Sequence, residues 1–193
     1  MWQVLGGVGE PPTRLGAFAG PPLLILGGGR TVWDDFAKVR PWGGEIMAVN
    51  DVGCHIHDRV RHWVTLHSEY MAGWKQYREK HLYGSGNPAM THSYKDKPGI
   101  DVLWRIGNLG GTSGLFACFV GLMLGYERIV LAGVPMTNDG HYFDPPWQRS
   151  DFEDKAVAIV WKQAALNIFK GRVTSLSGRT RDWLGEPEMK VAA

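Results

Sequence analysis

The chain has few of the features that mark secreted, metal-binding or membrane proteins. Only two of its 193 residues are cysteines. Neither Cys54 nor Cys118 belongs to a CxxC pair, so a disulfide framework and a zinc site are not expected. The sequence shows no apolar run of about eighteen residues and no basic segment leading into an apolar one near Met1. We therefore expect no membrane helix and no signal peptide, and we predict a cytoplasmic protein.

An excess of charge of one sign is also missing. Lys and Arg total 21 and Asp and Glu total 19, which leaves a formal net charge of +2. Together with the lack of a long basic run, this balance excludes a dedicated nucleic-acid binder. A membrane partner is not expected either. The expected partner is a small molecule, and the nine tryptophans leave room for an oligomer.

The most informative segment is a glycine-rich turn, residues 110–114, that runs into an apolar helix and then an apolar strand. The helix pattern is apolar on nearly every face, so it must be buried on several sides. The short strand that follows, within residues 127–136, has the continuous apolar character of a parallel sheet. Unpaired N–H groups at a helix start attract anions. Thr112, Ser113 and Gly114 are therefore predicted to hold a phosphate or carboxylate.

Strands and helices alternate along the rest of the chain. Strands are predicted at residues 23–26, 45–49, 62–66, 101–106 and 172–176, helices at 32–39, 70–81, 151–169 and 180–184, and loops at 82–99 and 137–150. This alternation predicts an α/β fold, a single Rossmann-like, doubly wound and mostly parallel sheet with helices on both faces. We place this nucleotide-binding domain at residues 21–186, between an irregular arm at 1–20 and a loose tail at 187–193.

In such sheets a ligand binds beyond the carboxyl ends of the strands. Gly28, Gly29 and Arg30 follow the first strand and are predicted to bind the ligand. The two glycines have no Cβ, so a phosphate could approach the backbone there. A plain tight turn is the alternative interpretation. Asn50 and Asp51 end the second strand, where they would either contact a base or ribose hydroxyl or cap the next turn.

His67 ends the third strand in the same way, and it would either contact the ligand or hydrogen-bond the loop backbone. Three further histidines precede it and invite a metal site: His55, His57 and His62. None of them has the spacing of an HxxxH or ExxH motif. No metal ligand is therefore predicted from the spacing.

The loop at residues 137–150 contains the candidate catalytic residues. His141 can act as a general base near neutral pH, and Asp139 or Asp144 could orient it or stabilise its charge. His141 and Asp139 are the predicted catalytic residues. The alternative is a surface turn, since Asn-Asp-Gly is a common turn sequence.

The segment from Thr112-Ser113-Gly114 through Leu124-Gly125-Tyr126 and the strand that follows resembles bacterial sialyltransferases. It is also similar to a family that includes archaeal hydroxymethylpterin pyrophosphokinases and to small phage proteins. The resemblance covers roughly residues 23–177. Within it, residues 27–32 match a glycine-rich turn, Asn50 matches an asparagine that ends the second strand, and residues 63–67 match a Trp-Val-Thr run in the third.

The sialyltransferase resemblance implies a nucleotide-sugar donor, CMP-sialic acid. The donor would lie over Gly28, Gly29, Asn50 and the helix start at residues 112–114. His141 would be the base that activates the acceptor hydroxyl, and the reaction would be an inverting displacement. Beyond this substrate, no cofactor is firmly implied.

Two other functions stay open at this point. A pyrophosphokinase-like enzyme would use ATP and a divalent metal held by acidic residues such as Asp51, Glu69 or Asp139. A non-catalytic phage accessory protein would only bind a nucleotide. It is favoured by residues 134–136, Val-Pro-Met, which stand where the sialyltransferases have Gly-(Ile/Cys)-Asp.

Overall fold

The computed structural model of the chain describes residues 20–81, 90–106, 111–150, 152 and 156–188. The predicted arm at residues 1–20 lies outside these residues except for Gly20, and the predicted tail lies outside them except for residues 187–188. Residue 110 of the glycine-rich turn and most of residues 151–155 are also outside.

Within the described residues, seven strands form one sheet in which every neighbouring pair is parallel. Their order is β5-β4-β3-β2-β1-β6-β7, and their bounds are β1 Leu23–Leu26, β2 Glu45–Val49, β3 His62–Val64, β4 Met90–Ser93, β5 Val102–Leu103, β6 Ile129–Ala132 and β7 Val173–Ser175. The chain winds outward from β1 to β5 and then returns to β6 on the other side of β1. A switch point therefore lies between β1 and β6.

Helices cover both faces of this sheet. Those of the described residues are α1 Val32–Val39, α2 Met71–His81, α3 Ser113–Met123, α4 Ala156–Ala164 and α5 Gly178–Leu184. Leu24 and Leu26 pack towards α1 and α2, whereas Leu23 and Ile25 pack towards α3 and α4. All four side chains are fully buried, which is why β1 is apolar at every position. The predicted doubly wound α/β fold is confirmed.

The predicted loop at residues 82–99 is wrong at its centre, because β4 lies within it. β4 reads Met-Thr-His-Ser, with three polar residues that are nevertheless buried. Each of them has hydrogen-bond partners. The Thr91 hydroxyl donates to the Gly99 carbonyl at 2.7 Å, the Ser93 hydroxyl donates to the Thr65 carbonyl at 2.8 Å, and the His92 ring bonds His62 and Trp104, both at 3.0 Å. These tertiary partners make polar side chains acceptable in the sheet.

Several predicted boundaries also shift. β3 ends at Val64 and β5 covers only Val102–Leu103. The long predicted helix at residues 151–169 is α4, Ala156–Ala164, followed directly by a π-helical turn at Ala165–Phe169. No helix in the described part of the chain is long and apolar enough to cross a bilayer.

Candidate functional site

A cavity of about 370 Å³ opens at the switch point, beyond the carboxyl ends of β1, β2, β3 and β6 and beside the start of α3. This volume suits a small-molecule ligand. Most of the predicted binding residues line it: Gly28, Gly29, Asn50, Asp51, His67, Thr112, Ser113 and Gly114. His141 lines it as well, whereas Arg30 and Asp139 do not.

The glycine-rich turn after β1 is built for close approach. A Cβ on Gly29 would lie 2.5 Å from the Pro135 side chain, so this position must stay bare for β1 and the turn after β6 to pack. At Gly28 the nearest atom to such a Cβ would be the His141 ring, at 3.5 Å. The N–H of Gly28 has no partner among the described residues. Gly28 thus presents bare backbone to the cavity, directly beside His141.

The start of α3 supplies a second set of donors. The Thr112 hydroxyl caps the helix by accepting from the Leu115 N–H at 3.3 Å, and it also accepts from the Trp161 indole N–H at 3.0 Å. The N–H groups of Ser113 and Gly114 have no partner within the residues that the structure describes. Together with the helix dipole, this arrangement at the cavity wall is suited to an anion.

Polar side chains at the ends of β2 and β3 form the opposite wall. Asn50 has φ of 54°, and its Oδ1 accepts from the Thr65 hydroxyl at 2.8 Å. This bond leaves the Asn50 Nδ2 as a donor for a ligand. Asp51 accepts from the Tyr142 hydroxyl at 2.5 Å. Burial and the bond to Asp51 raise the pKa of Tyr142, so the phenol stays protonated and donates.

His67 is the exposed member of this wall. Its side chain is 58% exposed, and its Nδ1 lies 4.0 Å from Glu69 Oε1. The His67 backbone N–H donates to the Thr65 hydroxyl at 2.8 Å. His67 lines the cavity, and its contact with the ligand stays a prediction.

His141 is held by a carboxylate, and that carboxylate belongs to Asp144. Asp144 Oδ2 accepts from the His141 backbone N–H at 2.7 Å and lies 3.2 Å from the His141 Nδ1. The backbone hydrogen bond and the contact with the imidazole lower the pKa of the Asp144 carboxyl. An ionised carboxylate can only accept a hydrogen bond, so it favours the tautomer in which the His141 Nδ1–H donates to Asp144 and the Nε2 keeps its lone pair. The pair has the geometry of a general base.

Asp139 lies elsewhere in the same loop. Its carboxylate accepts from the Thr137 hydroxyl and from Arg149, both at 2.8 Å. Of the two acidic residues that the sequence offered as partners of His141, Asp144 makes the contact.

Sequence reasoning passed over several residues that line or support the cavity. Tyr142 and Phe143 lie in the candidate catalytic segment but were not predicted to be site residues, although an aromatic pair beside a histidine in a polar loop is a usable signal. Phe143 stacks on His141 with ring centroids 5.2 Å apart, and Tyr142 bonds Asp51 as described. Met136, with φ of 53°, carried no sequence signal for its unusual backbone.

No group of three or more His, Cys, Asp or Glu side chains arranged as a metal site occurs among the described residues. The two cysteines, Cys54 and Cys118, are buried free thiols.

The fold and cavity define the class: a doubly wound α/β domain with a ligand crevice at its switch point. No protein-family model and no curated protein matches the chain. Solved sialyltransferases share its fold. They include CstII from Campylobacter jejuni in complex with cytidine-5'-monophosphate, with a TM-score of 0.58 and 14% identity over 89% of this chain and 86% of that one.

Two further structures give the same result. The sialyltransferase CST-II in complex with a trisaccharide acceptor and CMP has a TM-score of 0.62 and 13% identity over 89% of both chains. The monofunctional alpha-2,3-sialyltransferase Cst-I from Campylobacter jejuni has a TM-score of 0.61 and 12% identity over 91% of this chain and 83% of that one. The sialyltransferase-like fold implied by the sequence resemblance is confirmed.

Proposed function

We propose that this chain is a glycosyltransferase that uses a nucleotide-sugar donor, with His141 as the general base. The observation that carries the proposal is that one cavity is lined by His141, which Asp144 holds, and by Gly28, Ser113 and Gly114, whose N–H groups have no partner among the described residues. The pair supplies a proton acceptor, and the N–H groups supply a place for an anion. The solved neighbours with cytidine-5'-monophosphate add support for a nucleotide ligand.

The reaction would use these groups as follows. An acceptor hydroxyl gives its proton to the His141 Nε2 while its oxygen bonds to the anomeric carbon of the donor sugar. The bond from that carbon to the phosphate oxygen breaks, and the nucleotide leaves with the negative charge. N–H groups directed at that oxygen stabilise the charge as it develops. Because attack and departure occur on opposite sides of the carbon, the configuration inverts.

Nucleotide binding tests the first half of the proposal. A ligand at a hundredfold its dissociation constant stabilises the fold by about 2.7 kcal/mol, so CMP, CDP, UDP, GDP, ATP and CMP-sialic acid are compared by thermal unfolding with and without magnesium. We expect stabilisation by CMP and CMP-sialic acid without magnesium. Stabilisation by ATP only with magnesium would favour a pyrophosphokinase-like enzyme instead, and silence across the panel would contradict the proposal.

A substitution at His141 tests the second half. In His141→Asn we expect turnover of CMP-sialic acid to fall by about 100-fold or more, the usual contribution of a general base. CMP affinity, measured by calorimetry, should change little because CMP carries no acceptor hydroxyl. Equal losses of affinity and turnover would contradict the role of His141. CMP binding by the wild-type chain without any transfer would favour the non-catalytic accessory protein.

A further inference from the structure

We infer that Arg30 is a positioning residue. It holds the loop that carries His141, residues 137–150, against the glycine-rich turn after β1, residues 27–30, and it does not contact the ligand. The inference rests on the proposed role of His141. It departs from the sequence-based expectation that Arg30 binds a phosphate, and it assigns the guanidinium a task within the chain.

Among the described residues, the side-chain hydrogen bonds of Arg30 all go to one loop, residues 137–150. Its Nε donates to the Asp139 carbonyl at 2.7 Å, and its two terminal nitrogens donate to the Asp144 carbonyl at 3.2 Å and the Pro145 carbonyl at 3.0 Å. These carbonyls flank His141 on both sides along the chain. The side chain is absent from the cavity lining. Its hydrogen-bonding capacity is therefore directed away from the ligand and into the loop.

The shape of the guanidinium explains why this position suits arginine. The guanidinium is a planar fork whose donors point in fixed directions, so it reaches three carbonyls at different points of the loop. A lysine ammonium is a compact point charge and lacks this fork. The loop makes room for the fork at Gly140, which has φ of 83° and where a Cβ would lie 3.3 Å from an Arg30 nitrogen and 2.9 Å from Asp144 Oδ2. A bare residue is thus needed where the guanidinium and the Asp144 carboxylate meet.

Backbone hydrogen bonds complete the connection between turn and loop. The Arg30 N–H donates to the Gly140 carbonyl at 3.2 Å, and the Tyr142 N–H donates to the Gly28 carbonyl at 3.0 Å. Gly29 and His141 form an isolated antiparallel bridge. The turn that would face the donor phosphate and the loop that carries the base are therefore one unit. Arg30 joins them by side chain as well as by backbone.

The test compares Arg30→Lys with Arg149→Met. Arg149 contacts the same loop through the Asp139 carboxylate, but its side chain is 66% exposed, so it is the matched control. In Arg30→Lys we expect turnover of CMP-sialic acid to fall by about 100-fold, because small displacements of a catalytic group have effects of that size. CMP affinity should stay within about threefold of wild type, since only transition-state interactions are lost. Arg149→Met should resemble wild type in both.

Two results would overturn the inference. If Arg30→Lys lost CMP affinity and turnover in parallel, Arg30 would be a ligand contact. If it changed neither, the contacts of Arg30 with the loop would not be needed to position His141. Thermal unfolding of each variant shows whether it is folded at the assay temperature. Should Arg30→Lys prove unfolded, Arg30→Gln, which keeps a planar amide donor, replaces it in the same comparison.

A measurement without turnover separates this inference from the proposed function. Nitrogen NMR shifts of the His141 imidazole report which ring nitrogen carries the proton. We expect a single Nδ1–H tautomer in the wild-type chain and in Arg149→Met, and a mixture in Arg30→Lys, because Asp144 is no longer fixed beside the ring. Identical spectra in all three would overturn the inference. If the wild-type chain transferred no sugar, this result would still decide the role of Arg30.

Discussion

Asp139 and Asp144 stand five positions apart in one loop and differ in what their carboxylates contact. Asp144 accepts from the His141 backbone and faces its Nδ1, whereas Asp139 bonds Thr137 and the exposed Arg149. The first carboxylate therefore controls the tautomer of the imidazole. The second makes a surface ion pair, which contributes little stability.

This difference predicts that the same substitution, Asp to Asn, lowers turnover at position 144 but not at position 139. In Asp144→Asn the side chain keeps its shape but loses its charge, so it no longer enforces a proton on Nδ1. We expect turnover of CMP-sialic acid to fall by about 100-fold. In Asp139→Asn we expect a change in the free energy of unfolding of less than about 0.5 kcal/mol and little change in turnover. Steady-state kinetics and urea unfolding of both variants measure these effects. A loss of turnover confined to Asp139→Asn would make Asp139 the catalytic partner of His141, as the sequence suggested.

The sequence could name His141 but could not choose its partner. Residue type alone marks a histidine near two acidic residues as a candidate base. The choice between positions 139 and 144 depends on how the loop folds, which Arg30 and the bare position at Gly140 determine through tertiary contacts. Arg30 itself was expected to bind ligand because it follows a glycine run, and nothing in the local sequence indicated three loop carbonyls more than a hundred residues away.

The glycine-rich turn after β1, residues 27–30, packs against the turn after β6, residues 133–135. Adding a single methyl group at Gly29 tests how tight this packing is. In Gly29→Ala the new Cβ would lie 2.5 Å from the Pro135 side chain and 2.8 Å from the Gly133 carbonyl oxygen. Backbone must shift to relieve these contacts. We expect a loss of about 1–3 kcal/mol in the free energy of unfolding, together with weaker CMP binding.

The matched control is Gly73→Ala in α2, where a Cβ would meet nothing within 4 Å. Alanine is favoured over glycine in a helix interior by about 0.5–1 kcal/mol, so this variant should be more stable than wild type and bind CMP unchanged. Urea unfolding and calorimetry give both quantities. Gly29→Ala with wild-type stability would show that the two turns are not tightly packed.

Elements with continuous apolar patterns were predictable, and elements that depend on polar partners were not. β1 and β2 were predicted with the bounds that the structure has, because each is buried on both faces and carries no polar residue from position 23 to 26 or from 46 to 49. β4 was missed because its threonine, histidine and serine read as loop. Their burial is made possible by partners on other elements, which no local pattern reveals.

A chain of hydrogen-bonded side chains runs from Trp104, just after β5, through β4 and β3 to Tyr126 and to Glu45 at the start of β2. The Trp104 indole can only donate, so the His92 Nδ1 accepts from it at 3.0 Å and the His92 Nε2 donates to the His62 Nδ1 at 3.0 Å. The His62 Nε2 then donates to the Tyr126 hydroxyl, and that hydroxyl donates to the Glu45 carboxylate. Every donor and acceptor is satisfied with both imidazoles neutral. A proton added to either histidine would face another donor.

This arrangement predicts that the whole molecule loses stability as the pH falls from 7 to 5. Burial lowers the pKa of His62 to about 4, against the opposing effect of Glu45 and with a smaller contribution from Arg61, and burial with the nearby His62 lowers the pKa of His92 well below its usual value. The unfolded chain takes up protons near the ordinary histidine pKa of about 6.5 while the folded chain does not. Each histidine therefore removes up to about 1.4 kcal/mol per pH unit below that value.

Urea unfolding at pH 7, 6 and 5 measures this slope, and the exposed His57 provides the control. His57→Gln removes a histidine at the surface and leaves the buried hydrogen-bond chain intact, so it should leave the slope unchanged. His62→Gln should be less stable than wild type at pH 7, since a buried bond is lost, but its stability should fall less steeply towards pH 5. If stability fell equally steeply with pH in wild type and His62→Gln, the buried His62 imidazole would accept a proton without cost. The neutral hydrogen-bond chain would then be the wrong description of these side chains.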